Sequence, residues 1–108
     1  MGEHDPAEAA RISVHAPKGL PPAMVTAYVS RCLASLPAAK AALERLDYDH
    51  VRVFGHHLKG TGGAYGIPAL TEMGLLIEGA AQRGETAKLR CDLSALEAYL
   101  GRLDIFSG

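Results

Sequence analysis

His56, Lys59 and Glu78 are the residues of this chain whose types and spacing fit a reaction. His56 opens the run His56-His57-Leu58-Lys59-Gly60-Thr61-Gly62-Gly63, basic and glycine-loaded inside an otherwise helical stretch. Each glycine in a helix interior costs about 1 kcal/mol relative to alanine. Yet Gly55, Gly60, Gly62, Gly63 and Gly66 fall within about three turns. On a helix over 51–66, Phe54, Leu58 and Tyr65 lie opposite His56 and form the core stripe with Val51. Gly63, Arg52, Gly60 and Lys59 fall within about 60° of His56, on a polar face almost free of side chains. His56 therefore points to solvent with room for a bulky electrophile, whereas His57 sits about 100° round, on the flank. Lys59, three residues on, sets a cation beside any anion that reaches the imidazole. The plainer reading is a solvated histidine beside a solvated lysine.

Glu78 stands among apolar and small neighbours, Leu75, Leu76, Ile77, Gly79, Ala80 and Ala81. A glutamate in such company usually has a partner. If its helix runs antiparallel to that of His56, Glu78 comes alongside the imidazole. A carboxylate accepting the Nδ1 proton fixes the tautomer and leaves Nε2 as a nucleophile. The alternative is a glutamate at the domain edge reaching water.

The elements that must hold these groups are helical. Residues 1–11 are polar and uncapped and are expected to fray. Ile12-Ser13-Val14 alternates briefly before the turn Ala16-Pro17-Lys18-Gly19 and reads as an arm laid across the domain, not as a sheet. Pro21-Pro22 opens a helix on which Met24, Tyr28, Cys32 and Leu36 recur every fourth residue, with Val25, Val29 and Leu33 beside them. Pro37 lacks an N–H and clashes with the preceding turn, so a kink or short break is expected before Leu43 and Leu46 resume the pattern. Asp47-Tyr48-Asp49 caps the helix of His56, and Gly66-Ile67-Pro68 ends it. The next helix sets Leu70, Met73, Ile77, Ala80 and Ala81 on one face and closes at Gly84. The last repeats Leu89, Leu93, Leu96, Leu100 and Leu103 in steps of four and three. Short connections make successive helices antiparallel neighbours. The expected fold class is all-α: an antiparallel four-helix bundle with a flexible N-terminal extension over 1–19 and the helical domain over 20–106.

Composition agrees with one small globular domain. The 108 residues carry 48% hydrophobic and 21% charged side chains, with no Trp and two Phe. The apolar content is mostly Ala and Leu, which favours helix over sheet. A net charge of −1 argues against nucleic acid as the main ligand, since phosphate neutralisation needs a basic surface. Cys32 and Cys91 read as buried or half-buried thiols in a reducing cytoplasm. No stretch approaches the roughly 18 apolar residues of a membrane span. Lys59-Gly60 is not the order of a nucleotide phosphate loop, so no kinase or nucleotide-binding site is expected.

His56-His57-Leu58-Lys59-Gly60 resembles the His-x-Leu-Lys-Gly motif of histidine-containing phosphotransfer (HPt) domains. Thr61-Gly62-Gly63-Ala64-Tyr65-Gly66 is similar to that family's small-residue run, and Leu76-Ile77-Glu78-Gly79-Ala80-Ala81 to its leucine, x, glutamate, x, alanine segment. Glu78 lies 78 − 56 = 22 residues beyond His56, where many members place a residue that hydrogen-bonds the active imidazole. The resemblance spans residues 20–103. It implies a phosphorelay intermediate, not an enzyme, which takes a phosphoryl group from a receiver-domain aspartyl-phosphate and passes it to another receiver. By position, His56 would accept the group through Nε2 and Lys59 would stabilise its charge. Gly60 would leave room for the receiver, and Glu78 would orient the ring. His57 inherits no role. The partners implied are response-regulator receivers and a hybrid histidine kinase. Mg²⁺ would come from the receiver, with no cofactor or metal held by this chain. Arg52, Val53 and Gly63 are candidate partner-binding residues, with Leu20 and Met24 adding to the patch. A cytoplasmic monomer is expected, either a free-standing shuttle or a domain of a hybrid kinase.

Two other readings stay open. One is an HPt-like interaction module that is never phosphorylated. The other is a metal-binding bundle using His50, His56, His57 and Glu78, with His50 and His57 on one face; it lacks the paired Glu-x-x-His signature of di-metal bundles.

Overall fold

The computed structural model describes residues 11–107, so the expected fraying of residues 1–10 lies outside the described residues. In chain order the elements are β1 (Ile12–His15), α1 (Pro22–Glu44), α2 (Tyr48–Thr61), a 3₁₀ turn (Gly63–Tyr65), α3 (Pro68–Gln82), α4 (Thr86–Gly101) and β2 (Leu103–Phe106). The protein is thus mostly helical. α1 packs on α2 and α4, and α3 packs on α2 and α4. The core between them is built from the expected stripes: Val25, Leu36 and Leu43 of α1, Val51 and Leu58 of α2, Leu70 and Ile77 of α3, and Leu89, Leu93, Leu96 and Leu100 of α4. No helix of the described residues is long and apolar enough to cross a membrane.

Four expectations are corrected. Pro37 does not break its helix; α1 runs unbroken from Pro22 to Glu44. Proline in a helix interior costs about 3 kcal/mol, but Leu36 and Ala39 are fully buried on either side of it and hold both halves of α1 on one core. The helix of His56 stops at Thr61 and tightens into the 3₁₀ turn, closed by Gly66 at φ +80°. Met24, placed in the apolar repeat, is half exposed, and Cys91 is exposed while Cys32 is buried.

The fourth correction concerns the chain ends. The arm at Ile12 is a strand: β1 pairs in parallel with β2, Ile12 opposite Leu103 and His15 opposite Phe106. Leu103 accordingly leaves the helical repeat of α4 and joins the sheet, still buried. Val14 and Ala16 are buried in the core, so the packed domain begins upstream of residue 20. A two-stranded sheet is marginal by itself. Here Arg11 reinforces it, donating to both carboxylate oxygens of Asp104 at 3.2 and 2.5 Å and to the carbonyls of Gly101 and Leu103.

Candidate functional site

The site is made where α2 lies against α3. Asp47 caps α2 by accepting the backbone N–H of His50 at 3.2 Å, as the sequence anticipates. Glycines then set the distance between the two helices. A Cβ on Gly55 would stand 2.7 Å from the Glu78 nitrogen, and one on Gly62 would stand 2.7 Å from the Thr71 nitrogen. A Cβ on Gly74 would collide with the Lys59 nitrogen and lie 2.7 Å from the Gly55 carbonyl oxygen. Such gaps admit no side chain, so backbone meets backbone. Gly74 escapes the spacing argument; its signal was the one already applied to Gly55, an unexplained glycine in a helix interior.

This close approach brings three side chains together. His56 Nδ1 lies 2.8 Å from Glu78 Oε2, and Lys59 Nζ donates to Glu78 Oε1 at 2.7 Å. The Glu78 side chain is only 11% exposed, whereas that of His56 is 59% exposed. Lys59 and His56 together hold the Glu78 carboxyl below the usual glutamate range, the Lys59 hydrogen bond contributing most. An ionised carboxylate only accepts. In the neutral imidazole the proton between the two groups is therefore on Nδ1, leaving the Nε2 lone pair free. The arrangement can deliver a fixed, outward nucleophile with a carboxylate behind it.

The glycines of the motif divide by purpose. Gly60 has nothing within 4 Å of the place its Cβ would take, so it opens the surface beside His56. Gly63 is exposed and its N–H donates to Thr71 Oγ1 at 2.9 Å. Gly55 and Gly62 face α3 instead, which corrects the view of the whole run as a clearing. Val53 is partly exposed on the same side of α2. Arg52 is drawn back along its own helix, donating to Asp49 from Nε and Nη2. Leu20 is half-buried against the core. Leu75, exposed and one turn before Glu78, is an apolar neighbour of the site that the spacing argument did not single out.

His57 lies apart from this group. It lines a groove of about 350 Å³ between α1 and α2 with Tyr28, Phe54 and Tyr65. Tyr28 stacks on Tyr65, ring centroids 4.1 Å apart. Thr61 donates its only hydroxyl proton to the His57 carbonyl at 2.8 Å, so in the 2.7 Å contact between Tyr28 and Thr61 the phenol is the donor. Burial pushes the Tyr28 phenol up to about 12. Among the described residues, no three His, Cys, Asp or Glu come together as a group that could hold a metal. The placement of His50, His56, His57 and Glu78 thus lends no support to a metal centre. Comparison with known proteins finds no matching family model, no matching curated protein and no matching solved structure.

Proposed function

We propose that this protein is a phosphorelay intermediate of the HPt kind, an antiparallel four-helix bundle that carries a phosphoryl group on His56. The observation that carries this reading is the pairing of His56 Nδ1 with the buried carboxylate of Glu78 while the ring stays exposed. An orienting carboxylate on one nitrogen and open solvent at the other is what a relay nucleophile needs. The donor is the aspartyl-phosphate of a receiver domain. The Nε2 lone pair attacks phosphorus, the N–P bond forms and the acyl P–O bond breaks, its electron pair leaving on the aspartate. The ring gains positive charge at that moment, and Glu78 offsets it through the Nδ1–H. Transfer to a second receiver reverses these steps.

Phosphoryl transfer is mostly positioning and charge stabilisation, so few groups are required of this chain. The receiver supplies the aspartate and its Mg²⁺. Gly60 admits the receiver's loops, and Val53, Gly63 and Arg52 lie where its edge would rest. A monomer acting in the cytoplasm, with no nucleotide site of its own, fits this role.

Incubation with a phosphorylated receiver tests the reading. The expected product is acid-labile, base-stable phosphate on this chain, lost in His56→Gln and kept in His57→Gln. Phosphate that follows His57, or none on the wild type with any of a full set of receivers, overturns it.

A further inference from the structure

Glu78 is the only buried charged residue among the described residues, and its two oxygens are divided between two donors. Lys59 and His56 stand three residues apart on α2, a rise of about 4.5 Å, and both reach across to the same carboxylate on α3. The resemblance to phosphotransfer domains gives Lys59 to an incoming phosphoryl group. In the resting protein its ammonium is on Glu78 Oε1 instead, at 2.7 Å.

That contact has a consequence for the imidazole. A buried carboxylate oxygen without a donor is costly. Deprived of Lys59, Glu78 would relieve the cost by rotating Oε1 toward water or by taking up a proton. Either change weakens the acceptor at Nδ1, because glutamate has several rotamers and only some face the ring. We propose, on the reading that His56 is the phosphoacceptor, that Lys59 is a positioning residue acting through Glu78. It locks the carboxylate in the rotamer that keeps the His56 proton on Nδ1. Its service to the phosphoryl group is a second duty, taken up only when it lets go of Oε1.

Imidazole ¹⁵N NMR of the unphosphorylated protein tests this. Lys59→Met should lower the ratio of Nδ1–H to Nε2–H tautomer at His56 about threefold or more, with Lys59→Ala as a second neutral variant. Lys59→Arg should restore the ratio. In a Glu78→Gln background, Lys59→Met should change nothing further. An unchanged ratio in both neutral variants overturns the proposal. So does an equal drop in the Glu78→Gln background, since Lys59 would then act on the ring directly. No phosphate enters the measurement. A tautomer that follows Lys59 in a protein that never accepts phosphate would end the phosphorelay reading and leave the positioning role standing.

Discussion

The carboxylate of Glu78 decides how the site responds to pH. Its folded-state value is depressed, first by Lys59 and then by His56. A group so depressed stabilises the fold above its unfolded pKa and loses that contribution as pH falls through the folded one. The Nδ1 anchor therefore persists through neutral pH and fails only in acid, below the ordinary glutamate range. A ¹³C titration of the Glu78 carboxyl should show this depressed midpoint, and a midpoint at or above the ordinary value would contradict the geometry. Glu78→Ala should leave the helices folded and slow phosphorylation of His56; full-rate transfer in that variant would remove Glu78 from the mechanism. The candidate site was legible in the sequence because helical geometry fixes directions at 100° per residue, which separates His56 from His57. The partner of Lys59 was not, because whether an ammonium turns to a carboxylate or to solvent depends on the distance between two helices.

That distance belongs to the elements, and it is set by Gly55, Gly62 and Gly74. Gly74→Ala should destabilise the fold by about 1–3 kcal/mol through overpacking and, by pushing α3 away from Lys59, also slow transfer. Gly60→Ala makes the opposite case. Its Cβ meets nothing, so the substitution should stabilise α2 by about 0.5–1 kcal/mol while hindering a docked receiver. Thermal melts and transfer rates on the two variants check this: Gly60→Ala melting higher and transferring more slowly, Gly74→Ala lower in both. Equal melting shifts would mean that the two glycines serve one purpose. Helix positions and core stripes were readable from apolar periodicity, which fixes the buried face. Helix ends were less so. Thr61, Pro37 and Leu103 all departed from the repeat, because burial on both sides of Pro37 outweighed its local cost and the pairing of β2 drew Leu103 out of α4.

At the scale of the whole molecule, the strand pair joins segments 103 − 12 = 91 positions apart. No local pattern announces such a contact, and Ile12-Ser13-Val14 looked like a loose arm for that reason. Arg11→Ala should raise amide hydrogen exchange in β1 and β2 while leaving exchange in α2 and α3 unchanged; uniform acceleration would mean the strands open only with the whole protein. The arm also reaches the site helix's exit, since a Cβ on Gly66 would stand 2.8 Å from the Pro17 ring. Parallel pairing of the two ends has a mechanical meaning too. A pull between Arg11 and Ser107 draws β1 back along its own axis and β2 forward along the same direction. The inter-strand hydrogen bonds and the Arg11–Asp104 bridge are then loaded together in shear, not opened one at a time like a zip. Under tension from attached neighbours, the helices that hold His56 would be shielded until that seam gives way.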